Sequence, residues 1–255
     1  MTWALVTGAT SGIGRCFVQH LAAQGYDIVL VARDADRLEA VAAQVADAAG
    51  IRTEVFVADL SDRAAIEAVA VRLRSRDEPI DVLVNNAGFS TNQLFVSGDL
   101  EREEAALDVM VRAVMVLSQA SALAMTARHH GRIINVSSVA AWVPGGTYSA
   151  AKSWVSTFTE ALAGELAGSG VTATVLCPGY TRTEFHERAG LDMSGVPDIA
   201  WLAVDDVVAQ GLRDSERGRP VSVPSPLYRT ARIGLKLLPA AVVRRIALRR
   251  PGSAR

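Results

Sequence analysis

Thr7-Gly8-Ala9-Thr10-Ser11-Gly12-Ile13-Gly14, the stretch TGATSGIG, joins a short apolar run at residues 3–7 to a stretch with helical periodicity. Glycines at such a junction permit a tight turn. They also let backbone N–H groups approach a pyrophosphate at the helix N-terminus, where the peptide dipoles favour negative charge. The spacing is GxxxGxG, whereas the common dinucleotide fingerprint is GxGxxG, so the glycines by themselves are a weak signal. Their position between a strand and a helix predicts a dinucleotide-binding turn.

The rest of the chain continues this alternation of strand and helix. The strand candidates are 3–7, 27–32, 53–58, 81–85, 132–137, 172–177 and 220–224, and the helix candidates are 12–24, 35–49, 62–76, 100–130, 148–168 and 204–214. Most strand candidates are continuous apolar runs, as expected when helices cover both faces of a parallel sheet. We predict an α/β fold: a single-domain, Rossmann-type, doubly wound parallel sheet of about seven strands with helices on both faces.

Composition excludes several classes of protein. The chain has 255 residues, 50% hydrophobic and 21% charged, which is typical of a globular protein, and its net charge of −1 predicts no nucleic-acid partner. Two cysteines, Cys16 and Cys177, are too few for a disulfide framework. The four histidines match no zinc pattern, so no metal site is expected; they are His20, His129, His130 and His186. No signal peptide or membrane-spanning apolar run is recognised, which indicates a soluble cytoplasmic protein.

The end of the second predicted strand indicates which dinucleotide binds. An acidic residue at this position takes the ribose 2′-hydroxyl of NAD(H), whereas an arginine suits the 2′-phosphate of NADP(H). Here Ala32 is followed by Arg33, whose guanidinium can bind a phosphate in bidentate fashion. The sequence therefore favours NADP(H). Asp34 leaves NAD(H) open, because its side chain could turn inward in place of Arg33.

Tyr148 and Lys152 are one helical turn apart and lie on one face of a predicted helix. A neighbouring ammonium favours the phenolate, so Lys152 is expected to lower the pKa of Tyr148 towards neutrality. Lysine is rare in this arginine-rich chain, with Lys236 as the other one, and this supports a specific role for Lys152. The strand before this helix ends in Ser138, whose hydroxyl could hold a carbonyl oxygen while Tyr148 protonates it. Ser137 is the alternative.

Taken together, these motifs resemble the short-chain dehydrogenase/reductase family in its NADP(H)-preferring form. The resemblance covers about residues 3–224 and rests on TGATSGIG, Asp59-Leu60, Asn85-Asn86-Ala87-Gly88, Ser138, Tyr148xxxLys152 and Pro178-Gly179. It implies reversible carbonyl–alcohol hydride transfer in a homodimer or homotetramer. The subgroup of DltE-like and long-chain 3-oxoacyl reductases is the most similar, which implies an apolar ketone or 3-oxoacyl substrate.

The resemblance also assigns roles by position. It implies that Ser138 anchors the carbonyl, Tyr148 is the acid/base, and Lys152 binds the nicotinamide ribose and lowers the tyrosine pKa. The implied cofactor-binding residues are Gly8, Ser11, Gly12, Ile13 and Gly14 at the pyrophosphate, Arg33, Asp59 and Leu60 at the adenosine end, Asn86, Ala87 and Gly88 beside the adenosine ribose, and Tyr148, Lys152, Pro178, Gly179, Thr181 and Thr183 around the nicotinamide.

Two departures from the family pattern stand out. The family often has an asparagine inside its fourth helix, where it opens the helix to hold a water that relays protons to the lysine, and here Met110 takes that position. A thioether is at best a weak acceptor. The span from Ser138 to Tyr148 is also shorter than usual. Met110 keeps open an alternative function: a dinucleotide-binding protein with little turnover that acts as a redox sensor or assembly subunit.

The predicted domain organisation is a catalytic domain at 1–225 followed by a basic helical extension at 226–255. Within the domain, residues 179–203 lack clear periodicity and are expected to form a substrate lid. The extension carries eight cations and no acidic residue: Arg229, Arg232, Lys236, Arg244, Arg245, Arg249, Arg250 and Arg255. It either packs on the domain or on a second subunit with its arginines in water, or it contacts an anionic membrane surface or acyl-CoA phosphates.

Overall fold

The computed structural model describes residues 2–247. The last part of the predicted basic extension, residues 248–255 with Arg249, Arg250 and Arg255, lies outside the described residues. The boundary placed at residue 225 stays a prediction.

Seven parallel strands form one sheet in the order β3-β2-β1-β4-β5-β6-β7. The strands are β1 (Trp3–Thr7), β2 (Asp27–Ala32), β3 (Thr53–Val57), β4 (Ile80–Asn85), β5 (Gly131–Val136), β6 (Val171–Leu176) and β7 (Val221–Ser222). Every residue of β1 and β4 is buried, as expected for central strands covered on both faces. The edge strand β7 is shorter than predicted, since Pro220 and Pro224 flank it and cannot donate to a ladder.

Helices cover both faces of this sheet. They are α1 (Gly12–Ala23), α2 (Ala35–Ala49), α3 (Arg63–Arg74), α4 (Leu100–Leu107), α5 (Ala113–Thr126), α6 (Gly146–Glu165), α7 (Phe185–Arg188), α8 (Val204–Glu216), α9 (Pro226–Leu237) and α10 (Ala240–Ala247). Apolar side chains of α3, α5 and α6 form a core with one face of the sheet, and those of α1, α2 and α8 form a core with the other. The predicted doubly wound α/β fold is confirmed.

The helix predicted at 100–130 is interrupted. Between α4 and α5, residues Asp108–Arg112 form a π-helical turn, in which the N–H of Ala113 bonds the carbonyl of Asp108. By length and composition the run Leu100–Thr126 could cross a membrane, since its most apolar 18-residue window has a mean hydropathy of 1.5, so the expectation that no run is long enough was wrong. In the fold, α5 instead packs against α3 and the sheet through side chains such as Leu117, which is fully buried.

The strand order creates a crevice at the carboxyl ends of β1 and β4. The chain leaves β1 towards β2 on one side, and it returns to β4 on the other side of β1. In open α/β sheets ligands bind at such a switch point, outside the carboxyl ends of the strands. The glycine turn follows β1, Asn86 is the first residue after β4, and Ser138 is the second residue after β5. The topology therefore gathers the predicted motifs at one edge.

Candidate active site

The glycine turn is shaped so that backbone rather than side chains faces the crevice. Gly8 and Gly12 have positive φ values of +67° and +50°, which only glycine adopts without strain. At Gly14 a Cβ atom would lie 2.1 Å from the carbonyl oxygen of Gly8, so a side chain cannot fit there. Helix α1 begins at Gly12, and its first N–H groups have no partner inside the helix. This turn fits the pyrophosphate of a dinucleotide.

Asn86 fixes the position of the turn. Its side-chain Nδ2 donates to the carbonyl oxygens of Thr7 at 2.9 Å and Gly8 at 3.3 Å. In return, the Thr7 hydroxyl oxygen accepts hydrogen bonds of 3.0 Å from the backbone N–H groups of Asn86 and Ala87. The amide of Asn86 therefore ties the ends of β1 and β4 together, so its side chain supports the cradle in addition to bordering the crevice.

The adenosine end of the crevice presents two arginines. Asp34 also lines the crevice, but its carboxylate caps α2 and accepts a 3.0 Å hydrogen bond from the backbone N–H of Arg37. Arg33 is 72% exposed at the crevice, and one of its guanidinium nitrogens lies 3.9 Å from a carboxylate oxygen of Asp59. Arg37 also lines the crevice. Arg37 was not predicted from the sequence, although its position four residues after Arg33 was a usable signal.

Ser138 and Tyr148 lie beside each other in the cleft at the carboxyl end of β5, close enough for the Ser138 hydroxyl to lower the pKa of Tyr148. The Ser138 hydroxyl also caps a short 3-10 turn, Val139–Trp142, by accepting a 3.1 Å bond from the N–H of Ala140. Thus the short span between serine and tyrosine does bring Ser138 to Tyr148. Ser137, the alternative, is buried and donates a 2.7 Å bond to the carbonyl oxygen of Lys152, so it anchors α6 instead.

Lys152 lies beneath the tyrosine, buried to 4% exposure. Its Nζ donates a 2.8 Å hydrogen bond to the carbonyl oxygen of Val136 and lies 5.8 Å from the centroid of the Tyr148 ring. Burial lowers the pKa of Lys152 to about 8. Burial also raises the pKa of Tyr148 to about 12, and the hydrogen bond with Ser138 offsets this only in part. The predicted lowering of the tyrosine pKa was wrong, because desolvation of the phenol dominates in this arrangement.

Met110 is placed in the π-helical turn, next to the lysine. A Cβ atom on Gly88 would lie 3.2 Å from Cγ of Met110 and 3.4 Å from Nζ of Lys152, so these three residues meet. The helix is therefore opened at this position even though the residue is a methionine.

The loop after β6 borders the other side of the crevice. The hydroxyl of Thr181 donates a 3.0 Å bond to the carbonyl of Gly179, and Thr183 packs against Gly12. Arg188 of α7 donates a 3.0 Å hydrogen bond to the hydroxyl of Ser11, which connects the segment 179–203 to the glycine turn. No sequence signal pointed to Arg188, since this contact joins residues far apart in the chain.

These groups line a single cleft of about 1320 Å³, which exceeds the roughly 300–1,000 Å³ of an ordinary small-molecule pocket and has room for a dinucleotide and a substrate. Of the predicted site residues, Gly14 alone is absent from the cleft wall. Those in the wall are Gly8, Ser11, Gly12, Ile13, Arg33, Asp59, Leu60, Asn86, Ala87, Gly88, Ser138, Tyr148, Lys152, Pro178, Gly179, Thr181 and Thr183.

Comparison with known proteins agrees with this geometry. A family model described as short chain dehydrogenase matches residues 2–193. The 3-oxoacyl-[acyl-carrier-protein] reductase FabG of Escherichia coli (strain K12) is 33% identical over 197 residues, which cover 74% of this chain and 79% of that protein.

Two solved structures share the whole architecture. A short-chain dehydrogenase from Sphingobium yanoikuyae in complex with NADPH matches with a TM-score of 0.83 at 34% identity, over 94% of this chain and 98% of the other. The bulky-bulky ketone specific alcohol dehydrogenase from Comamonas testosteroni matches with a TM-score of 0.79 at 27% identity, over 94% and 96% of the two chains. With its motifs gathered in one cleft and this likeness along most of its length, the chain belongs to the short-chain dehydrogenase family.

Proposed function

We propose that this protein is an NADPH-dependent oxidoreductase that interconverts an apolar ketone, or a 3-oxoacyl compound, and the corresponding alcohol. The observation that carries the proposal is the placement of Ser138 and Tyr148 beside each other in the wall of one cleft, with the Nζ of Lys152 at 5.8 Å from the centroid of the tyrosine ring. A carbonyl oxygen placed between the two hydroxyl groups would be held and protonated by the same pair.

The cofactor choice rests on charge at the adenosine end. Arg33 and Arg37 both face the cleft, while the carboxylate of Asp34 is used as a helix cap. Two guanidinium groups suit a 2′-phosphate, whereas the carboxylate that would suit a free 2′-hydroxyl, that of Asp34, is already engaged as the cap of α2. The related structure from Sphingobium yanoikuyae contains NADPH. NADP(H) is therefore the preferred cofactor, and NAD(H) the weaker alternative.

The reaction divides between cofactor and protein. The reduced nicotinamide, when bound, supplies the hydride. Ser138 donates a hydrogen bond to the substrate oxygen and orients it towards Tyr148. Tyr148 gives its phenol proton to the oxygen as negative charge develops there. Lys152 places positive charge near the phenolate that remains, and its own position is fixed by the carbonyl of Val136.

The segment 179–203 supplies the proposed substrate lid. Its Phe185 ring centroid lies 5.8 Å from that of Tyr148, and Leu191, Met193 and Val196 line the same cleft. Apolar side chains over the catalytic hydroxyl favour an apolar substrate. The names of two relatives support the same class, since one acts on a 3-oxoacyl carrier protein and another on bulky ketones. As in the family at large, we propose a homo-oligomer that acts in the cytoplasm on a small molecule.

The test is single-turnover oxidation of NADPH with a panel of apolar ketones and 3-oxoacyl thioesters. Tyr148→Phe should lower the rate by about 10²–10⁴-fold, since it removes the proton donor, while NADPH affinity stays the same. Tyr26→Phe, whose hydroxyl lies outside the cleft, is the matched control and should be as active as the wild type. Tight NADPH binding with no oxidation across the panel would refute the enzyme and support the redox sensor or assembly subunit.

A further inference from the structure

Outside the cleft, a cysteine, a histidine and an aspartate come together where α1 packs against α8. Cys16 and His20 are four residues apart in α1 and therefore lie on one face of the helix. Asp205 is in the first turn of α8 and reaches the same point. None of the three lines the cleft. Their potential ligand atoms all lie within 4.8 Å of one another.

The distances match a metal coordination shell. Oδ1 of Asp205 lies 3.6 Å from Sγ of Cys16 and 3.2 Å from Nε2 of His20. In a tetrahedral site with metal–ligand distances of about 2.0–2.3 Å, neighbouring ligand atoms are about 3.3–3.8 Å apart. The two pairs that involve Asp205 thus stand near the separations that a bound ion requires, and the potential ligand atoms of Cys16 and His20 lie within 4.8 Å of each other.

The site is also open to solvent, and the carboxylate of Asp205 gives it a negative charge that attracts a cation. The side chains of Asp205 and His20 are 75% and 29% exposed, so an ion can enter from solvent. Within residues 2–247, the recorded ion-pair partner of Asp205 is His20, and no arginine or lysine competes for this carboxylate. Thiolate and imidazole ligands select zinc-like transition metals over magnesium or calcium.

We propose that Cys16, His20 and Asp205 form a binding site for one divalent transition-metal ion of the zinc class, with a fourth position open to water. The thiol proton passes to solvent when the ion binds. The ion joins the middle of α1, the helix that follows the glycine turn, to the start of α8, the helix that follows the segment 179–203. It therefore acts as a structural clamp that is separate from the catalytic hydroxyls.

Binding is measured by titrating the untagged, reduced full-length protein with Zn²⁺ in a calorimeter and with Co²⁺ in a spectrophotometer. One ion should bind per chain, and Co²⁺ should give a sulfur-to-cobalt charge-transfer absorption. Cys16→Ser should abolish this absorption, and Cys16→Ser, His20→Asn and Asp205→Asn should each weaken Zn²⁺ binding by about tenfold or more. Zn²⁺ should raise the Tm of the wild type and leave that of Cys16→Ser unchanged.

The matched control is Asp206→Asn, which removes an exposed carboxylate from the same turn of α8 and should bind Zn²⁺ like the wild type. NADPH binding, measured in every variant, reports whether the fold is intact. If Cys16→Ser does not fold, the comparison of Asp205→Asn with Asp206→Asn decides. The proposal is overturned if Asp205→Asn and Asp206→Asn bind Zn²⁺ with equal affinity. It is also overturned if the wild type shows no charge-transfer absorption with Co²⁺, or if Cys16→Ser retains that absorption.

Discussion

The ring of Tyr228 lies directly against the backbone of Gly179, where a Cβ atom would come within 2.1 Å of Cε2 of the ring. The Tyr228 hydroxyl donates a 2.8 Å hydrogen bond to the carbonyl of Ala200 and accepts a 3.3 Å bond from the N–H of Tyr180. Helix α9 thus holds both ends of the proposed lid through one side chain. The first turn of α9, where the predicted basic extension begins, therefore packs against the segment that follows β6.

Gly179→Ala should therefore destabilise the protein by about 1–3 kcal/mol, because the methyl group pushes the ring of Tyr228 out of its place. Urea unfolding measures the loss. Gly164→Ala, at a helical position with no atom within 4 Å of the added methyl, is the control and should be neutral or stabilising. If the clash is the cause, Tyr228→Ala and Gly179→Ala together cost less than the sum of the two single changes.

Arg33→Ala should raise the KM for NADPH by about tenfold and leave the kinetics with NADH unchanged. A charge-assisted hydrogen bond contributes about 1.5–3 kcal/mol to binding. Because Arg33 is exposed to solvent, we expect its contribution to NADPH binding at the lower end of this range. Steady-state kinetics with both cofactors measures the effect. Arg213→Ala is the control, since this exposed arginine of α8 does not line the cleft, and it should leave the KM for NADPH unchanged. An equal rise in KM for NADH would show that Arg33 does not bind the 2′-phosphate.

Lys152 should make stability depend on pH. Its pKa is lowered from 10.5 to about 8 by burial, so between pH 8 and 10.5 the unfolded chain binds more protons than the native one. Stability therefore rises with pH in this window, by at most about 1.4 kcal/mol per pH unit, as the cost of a buried ammonium is relieved. Urea unfolding at pH 7.5, 8.5 and 9.5 measures the slope.

The contribution of Lys152 is the difference between the free energies of unfolding of the wild type and of Lys152→Met, measured at each pH. Burial raises the pKa values of Cys16 to about 12 and of Cys177 to about 11, which opposes the trend above pH 9 in both proteins and cancels in the difference. Tyr148→Phe should keep the full slope, because the raised pKa of Tyr148 places its titration above pH 10. A difference that does not change with pH would mean that Lys152 is not desolvated.

Met110→Asn should raise kcat and leave NADPH affinity unchanged. Met110 lies beside Nζ of Lys152 at Gly88, so an amide at this position could hold a water that passes protons to the lysine, whereas a thioether is at best a weak acceptor and cannot donate. Met110→Leu, which stays apolar, is the matched control and should behave like the wild type. If both variants turn over at the same rate as the wild type, proton relay through this position does not limit the reaction.

The parts of the site that were predicted from the sequence are those whose residues lie close together in the chain. The glycine turn and the pair Tyr148 and Lys152 each lie within one β–α junction or one helical turn, so their chemistry is visible in a few consecutive residues. Arg188 and Tyr228 could not be found in this way. Their partners, Ser11 and Gly179, are far away in the chain, and only the packing of α7 and α9 brings them into contact.

Two features of the site were not predicted correctly for the same reason: neighbouring residues in the sequence do not show how the folded chain packs. The sign of the Tyr148 pKa shift depends on how completely the phenol is desolvated, which neighbouring residues in the sequence do not report. The π-helical turn at Asp108–Arg112 depends on one extra residue in a helix, which leaves no mark on apolar periodicity over so short a distance. In contrast, the order of strands and helices follows from repeated local patterns and was predicted closely.

Asn85 and Asn135 lie opposite each other on β4 and β5, and both are buried. Nδ2 of Asn85 donates a 2.9 Å bond to Oδ1 of Asn135, whose own Nδ2 donates a 2.9 Å bond to the hydroxyl of Thr159 in α6, the helix of the catalytic tyrosine. Asn135→Leu should cost about 2–4 kcal/mol in urea unfolding, because it removes one of the two acceptors of the Asn85 amide in the core.

The double change Asn85→Leu with Asn135→Leu separates this desolvation cost from a loss of packing. It removes both buried amides, and the hydroxyl of Ser118, which accepts a 3.1 Å bond from Asn85, can turn to a backbone carbonyl of its own helix. We therefore expect the double variant to be more stable than Asn135→Leu alone. The contrary outcome is a loss of unfolding free energy in the double variant that equals the sum of the losses in Asn85→Leu and Asn135→Leu measured singly. In that case packing at these positions matters more than the amide pair, and the pair does not hold α6 in place.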